Sequence, residues 1–154
     1  MKKNRKKNKK AFTSVELLLV IALVAIIGLT SIPFLSRFLV QSATEDAYSR
    51  ILADLRQAQI NAQLGKQNGP WGVYYGTVNG SKQVVMYQGS SYATHTNAAF
   101  DQSYRVNSNV TITGMSDLNF AQVTGKPNAA ATITITGTSN TTRTIKINTQ
   151  GIIN

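Results

Sequence analysis

The sequence contains no cysteine and a single histidine among its 154 residues. The absence of cysteine excludes disulfide bonds, thiolate metal ligands and a cysteine nucleophile. One histidine excludes a catalytic histidine pair and a multi-histidine metal site. The sequence also has no glycine-rich phosphate loop and no nucleophile elbow. We therefore predict that the chain is not an enzyme, uses no cofactor and folds through packing alone.

The remaining titratable side chains support little site chemistry. His95 lies in a stretch rich in threonine, asparagine and alanine, which is typical of a solvated loop. Calcium could be bound by Asp101 or Asp117 together with backbone carbonyls, although no further pattern supports such a site. We predict that His95 is a solvated loop residue and that there is no metal site.

Acidic residues are also scarce, because six acids face sixteen bases and leave a net charge of +10. Seven of the bases lie within residues 1–11, a stretch that contains no acid. The rest of the chain carries nine bases and six acids, a balance of only +3. The basic character is therefore mainly a terminal feature and not a nucleic-acid-binding surface spread over the fold.

A long apolar stretch follows the basic residues. Phe12 to Ile32 would form a helix of roughly 31 Å, close to the thickness of the bilayer hydrocarbon. Since the lysines of the basic terminal stretch all precede it, the positive-inside rule predicts a single span with a cytoplasmic start and an extracytoplasmic body. The alternative is a secretory signal peptide, but no Ala-x-Ala site follows the apolar core.

The apolar rhythm continues beyond Pro33 at steps of three and four, which predicts one face of an amphipathic helix. Gly65 is a plausible helix cap, so we predict one helix from Phe12 to Leu64 with a kink at Pro33. The residues on the apolar face are Leu35, Leu39, Ala43, Ala47, Ile51, Leu55, Ala58 and Ala62.

From Trp71 onward the apolar period changes to two, which is typical of strands with one buried face. Asn79-Gly80 predicts a hairpin turn, and further alternating segments lie near residues 110–113, 132–136 and 144–148. Residues 92–101 show neither period and are predicted to form a loop. These strands predict an antiparallel sheet that the helix covers on one side.

Glu16 is the only charged residue in the apolar stretch. A carboxylate at the centre of such a span costs about 2.5 to 3.5 kcal/mol, and somewhat less near its end, so a partner is expected. Glu16 could reach the interface or pair with Lys10. Cleavage just before Phe12 would instead place a new ammonium group four residues away on the same helical face.

Residues 10–18, Lys-Ala-Phe-Thr-Ser-Val-Glu-Leu-Leu, together with the apolar run and Pro33, resemble the class III leader of type IV pilins and type II secretion pseudopilins. The resemblance implies cleavage by prepilin peptidase between Ala11 and Phe12, N-methylation of Phe12, and assembly roles for Glu16 and Pro33. Ala11 and Ser14 depart from the usual glycine and bulky apolar residue.

The rest of the chain is similar to the GspH/FimT-type minor pseudopilins. The similarity lies in residues 54–62 of the helix, the strand start Trp71-Gly72-Val73, the segment 118–125 and the closing strand 143–151. It implies an α+β, pilin-like fold in which a long N-terminal helix, half transmembrane and half amphipathic, packs on an antiparallel sheet. The expected domains are a leader at 1–11, an assembly helix at 12–33, an amphipathic half at 34–65 and a sheet domain at 66–154.

The function that follows is a minor pilin or pseudopilin, a structural subunit of a type IV pilus or a secretion pseudopilus. The resemblance implies other subunits, prepilin peptidase, an inner-membrane assembly platform and, before assembly, membrane lipid as partners. It places the chain in the cytoplasmic membrane as a single-pass protein and later in the filament.

Two other functions compete with this one. DNA capture during uptake would use four basic residues of the body as phosphate contacts. A tethered enzyme or sensor domain is the other, and the missing catalytic constellation disfavours it. The basic residues for DNA contact are Arg105, Lys126, Arg143 and Lys146.

Overall fold

The computed structural model describes residues 12–154, except for the side chains of residues 29–34 and 36. It contains one long helix, α1, at Ser14–Gln63. Seven strands follow, separated by turns and by short 3-10 segments at Lys66–Asn68 and Ala98–Phe100. The strands are β1 Trp71–Val78, β2 Ser81–Gln88, β3 Gln102–Arg105, β4 Val110–Thr113, β5 Asp117–Phe120, β6 Ala131–Gly137 and β7 Thr142–Ile147.

Both ends of α1 carry recognisable capping residues. At the start, the Thr13 Oγ1 atom accepts a hydrogen bond of 3.3 Å from the Glu16 N–H, the pattern of an N-cap residue. At the other end, Gly65 has a left-handed backbone with φ of 62° and donates its N–H to the Ala62 carbonyl. Because glycine adopts this conformation without a steric penalty, the predicted helix end at Gly65 is confirmed.

The strands form two antiparallel sheets. The first sheet has the order β3-β2-β1-β5 and the second has the order β4-β6-β7. β1 and β2 pair along their whole length from Trp71↔Gln88 to Val78↔Ser81. The intervening Asn79 and Gly80 both have positive φ, as a tight hairpin turn requires. The predicted hairpin is therefore confirmed.

The prediction of one sheet is wrong, because β4 and β5 follow each other in the chain but belong to different sheets. Between them Gly114 has φ of 75°, a backbone conformation that redirects the chain with little cost for glycine. The Ser116 carbonyl then accepts the Tyr75 N–H at 2.9 Å. The chain thus leaves the second sheet and joins the edge of the first within three residues.

The inner faces of both sheets and one face of α1 form a single hydrophobic core within residues 38–154. The second sheet contributes alternate buried residues such as Ile133, Ile135 and Ile145, which are fully buried. This alternation is the period-two pattern of the sequence. From α1 the core receives Ala47, Ile51, Leu55, Ala58 and Ala62.

The predicted apolar face of the helix is confirmed only in its second part. Leu35 and Leu39 are 58% and 59% exposed. Burial begins at Thr44, whose hydroxyl hydrogen bonds to the Val40 carbonyl within the helix. The sheets therefore cover the helix from about Thr44, and the sequence period alone does not show where that cover starts.

The prediction of a membrane-spanning helix half is wrong. Within the residues that the structure describes, no helix combines the length and the apolar character needed to cross a membrane. The structure agrees with the predicted α+β class. It contradicts the predicted pilin-like fold with a transmembrane half and the predicted single-pass location in the inner membrane.

The chain divides into two compact units, Met1–Arg37 and Phe38–Asn154. The second unit holds both sheets, the core and the buried part of α1. The described part of the first unit is the beginning of α1.

Candidate functional site

The first described turns of α1 carry an unusual concentration of exposed apolar side chains. We name residues 15–24 the apolar segment. Its large apolar side chains are between 50% and 75% exposed, on all sides of the helix. Fully burying one such side chain is worth about 1.5 to 3 kcal/mol. They are Val15, Leu17, Leu18, Leu19, Val20, Ile21, Leu23 and Val24.

Glu16 lies in the first turn of α1 and is exposed. Thr13 and Glu16 have the spacing of a capping box, and the Thr13 hydroxyl already bonds the Glu16 N–H. A carboxylate at this end of a helix also interacts favourably with the helix dipole. The helix cap and the helix dipole therefore account for a glutamate at this position. Its carboxylate remains accessible.

The other residues implied by the leader resemblance are only partly described. Phe12 precedes the helix and is 77% exposed. Ala11 lies outside the described residues, so the cleavage position is not seen. Pro33 falls within the bounds of α1, but its side chain lies outside the described residues as well. Their roles stay predictions.

The four basic residues considered for DNA contact are distributed over different elements. Arg105 ends β3 in the first sheet, whereas Arg143 and Lys146 lie on β7 in the second sheet. Arg143 is moreover paired with Glu45 of α1, at 2.5 Å between Nη2 and Oε1. Lys126 lies in the connection between β5 and β6. The structure does not gather these residues into one array of cations.

The prediction that His95 is a solvated loop residue is wrong. Its side chain is only 11% exposed, and both ring nitrogens face acceptors. Nδ1 lies 2.5 Å from the Tyr92 carbonyl, and Nε2 lies 2.9 Å from Asp101 Oδ2. The ring also stacks on Tyr92, with centroids 4.9 Å apart. Burial lowers the pKa of His95, but the two hydrogen bonds and the charges of Asp101 and Asp117 outweigh it and raise the pKa above its ordinary value.

Asp117 organises the neighbouring part of the same network. Its carboxylate accepts hydrogen bonds from the Tyr87 hydroxyl, from Ser91 Oγ at 3.1 Å and from the Tyr92 N–H at 3.0 Å. Burial, followed by the hydrogen bond to Asp117, raises the pKa of Tyr87 well above its ordinary value. The calcium hypothesis receives no support, because residues 12–154 contain no cluster of three metal-ligating side chains.

The Tyr87 ring fits the outer face of the first sheet because Gly72 has no side chain. A Cβ atom at position 72 would lie 2.6 Å from the ring. On the same face Tyr74 stacks on Tyr92, with centroids 4.1 Å apart. Tyr92 and His95 belong to residues 89–101, which we name the covering loop because these two side chains pack on this face of the sheet. The pairing of Gly72 in β1 with Tyr87 in β2 is the one signal that could have predicted a covered outer face.

A second group of polar residues lies between α1 and β3. A groove of about 570 Å³ is lined by residues of both elements, including Asp46, Arg50, Tyr104 and Arg105. Nearby, burial raises the pKa of Asp54 to about 6, against the opposing effects of Tyr104 and Arg50. The Tyr104 hydroxyl and Asp54 Oδ2 are both buried.

Comparisons of the chain with protein-family models, with curated proteins and with solved structures give no match.

Proposed function

We propose that this chain is a structural subunit of a pilin-like filament and that it assembles with other subunits through the beginning of α1. The exposed apolar segment carries this proposal. Monomeric soluble proteins rarely expose a contiguous apolar surface of this extent, and such surfaces mark interaction sites. The eight large side chains of the segment surround the helix, so one neighbour could not cover all of them.

The partners of this function are other subunits of the same type, the prepilin peptidase and an assembly platform. Helices that are apolar all round pack ridge into groove against several neighbours. Removal of residues 1–11 would take seven bases away from the start of the packed helices. It would also free the amino group of Phe12 beside the apolar segment.

Glu16 would then pair with the amino group of Phe12 from a neighbouring subunit. Both charges would lose water when the helices pack, and their mutual attraction would offset that loss. Because a buried ion pair has one favourable geometry, the pair would also set the register between neighbours. Glu16 is exposed in the single chain, so its carboxylate is free to make this contact.

Mass spectrometry of the native protein tests the processing step. The terminal peptide should be measured separately in whole cells and in material sheared from them. We expect a chain that begins at N-methylated Phe12, present in the sheared fraction. A chain that still begins at Met1 and is missing from the sheared fraction would contradict the proposal, and a start near Ile32 would show removal of a signal peptide instead.

Substitution of Glu16 tests the assembly step. Glu16→Val should leave cleavage intact and reduce the amount of subunit in sheared filaments at least tenfold. Thr13→Val removes the helix cap but keeps the carboxylate, so it separates loss of the ion pair from loss of the cap. Normal incorporation of Glu16→Val, or an equal loss in both variants, would argue against the role of Glu16.

A further inference from the structure

The covering loop is held on the first sheet by a small number of polar contacts. The Tyr92 N–H and Ser91 hydroxyl bond to Asp117 of β5, and the Asn119 side chain bonds to the Gly89 carbonyl. The later part of the loop depends on His95, which joins the Tyr92 carbonyl to the Asp101 carboxylate. His95 therefore fastens both ends of the segment 92–101 to each other.

Both nitrogens of the His95 ring must donate for both contacts to form. A carbonyl oxygen and a carboxylate oxygen are acceptors only, and a neutral imidazole has one donor. The described geometry thus suits the doubly protonated, positively charged ring. Loss of one proton would leave either the Tyr92 carbonyl or the Asp101 carboxylate without its partner.

The position of Asp101 makes such a loss costly. Asp101 Oδ1 is already buried and makes no hydrogen bond within the described residues. If His95 became neutral, the Asp101 side chain, which is only 20% exposed, would have no cation against it. A buried charge without a partner is strongly unfavourable, whereas an opened loop would return the carboxylate to water.

The groups that face the ring come from every element around it. Tyr87 of β2 contacts it with ring centroids 5.4 Å apart, and Tyr92 stacks on it with centroids 4.9 Å apart. The negative charges near it are Asp101, in direct contact, and Asp117 of β5. Tyr74 of β1 is in turn stacked on Tyr92. Within the described residues, the charges that act on the ring are those of Asp101 and Asp117, and both favour its protonated form.

We propose that His95 and Asp101 form a pH-sensitive latch, which holds the covering loop on the first sheet while His95 is protonated and releases it when the proton is lost. The closed loop binds this proton more tightly than the open loop does. Its stabilisation is therefore fully present below the ordinary pKa of histidine and is lost as the pH rises through the higher pKa of the closed form. Release would uncover the aromatic surface formed by Tyr74 and Tyr87.

The latch can be tested by NMR on the full chain between about pH 5 and about pH 9, a range that brackets histidine titration. His95 is the only histidine, so its ring signals need no assignment by mutation. We expect its titration midpoint to lie above about 6.5. Over the same range, the Tyr92 amide should lose protection from solvent exchange, after correction for the intrinsic pH effect, while the amides of the β1–β2 hairpin keep theirs.

The size of the effect is fixed by linkage. The fall in protection should equal the ratio of the His95 dissociation constants in the open and closed forms. Asp101→Asn keeps an acceptor but removes the charge, and we expect it to lower the His95 midpoint and shrink the fall. His95→Gln should give weak protection at every pH. Asp54→Asn is the control, because Asp54 titrates in a similar range at a different place.

Three results would overturn the latch. One is a His95 midpoint at or below the ordinary value. Another is a Tyr92 amide whose corrected protection does not change with pH. The third is a pH effect that disappears in Asp54→Asn, which would assign it to the groove beside α1. None of these results depends on whether the chain forms filaments, since all are measured on the single chain.

Discussion

Two parts of α1 differ in whether their apolar side chains are covered. In the apolar segment, Leu18 is 70% exposed, whereas Leu55 in the later part of the helix is fully buried. The sheets supply the cover in the second case, and no described residue supplies it in the first. An apolar helical sequence thus predicts that a face will be buried, but not whether its own chain or a partner will bury it.

The sharpest way to break this comparison is to shorten one leucine in each part. Leu55→Ala should lower the free energy of unfolding by about 3 kcal/mol, because it removes a buried side chain and leaves a cavity. Leu18→Ala should change it by less than about 0.5 kcal/mol. Urea denaturation followed by fluorescence measures both, since Trp71 is the only tryptophan and is buried. Equal losses of stability in the two variants would mean that Leu18 and Leu55 do not differ in burial.

A smaller effect is expected from the carboxylates of the same helix. The pKa of Asp54 is about 6 in the fold and about 3.8 in an unfolded chain, because burial disfavours its charge. The folded chain therefore binds this proton more tightly, and the resulting stabilisation is lost as the pH rises through about 6. Asp54→Asn should increase stability at about pH 8 by about 2 kcal/mol, after allowance for partial exposure.

The control for Asp54→Asn is Glu16→Gln, which removes an exposed carboxylate from the apolar segment. We expect that exposed substitution to change the free energy of unfolding by less than about 0.5 kcal/mol. Denaturation curves from about pH 4 to about pH 8 compare the two variants with the parent chain. Unchanged pH dependence in Asp54→Asn would mean that Asp54 is better solvated in solution than its surroundings indicate.

The smallest effect is expected at the Arg143–Glu45 pair, which joins β7 to the buried part of α1. Both side chains are more than a third exposed, and solvated ion pairs of this kind add little to stability. A double-mutant cycle with Arg143→Gln and Glu45→Gln should give a coupling free energy smaller than the effect of Leu55→Ala or of Asp54→Asn. Added salt should reduce this coupling further. A large, salt-independent coupling would show that the pair is effectively buried.

The sequence predicts the elements of this fold better than their arrangement. Helix α1, its end at Gly65 and the hairpin at Asn79-Gly80 all follow from local rules, because capping and turn conformations depend on neighbouring residues. The division into two sheets does not follow from them. It depends on which strands pair after the turn at Gly114, and strand pairing over long separations leaves little trace in a single sequence.

The same distinction explains the failure at His95. Its partner Tyr92 is three residues away and Asp101 is six, but the network is buried only because the loop meets Asp117, more than twenty residues later. A short sequence window shows a polar stretch and predicts a solvated loop. Glu16 is the opposite case, since Thr13 and Glu16 form a capping-box pattern that can be read locally.

Cross-linking between copies tests most directly the claim that the apolar segment is covered by neighbouring subunits. The chain has no cysteine, so Leu19→Cys and Lys126→Cys each introduce one thiol at an exposed position, the second as a control outside the segment. In filaments sheared from cells, a short thiol-reactive cross-linker should join copies through Cys at position 19 and not at position 126. Failure to cross-link at position 19, or equal yields at both positions, would contradict assembly through the apolar segment.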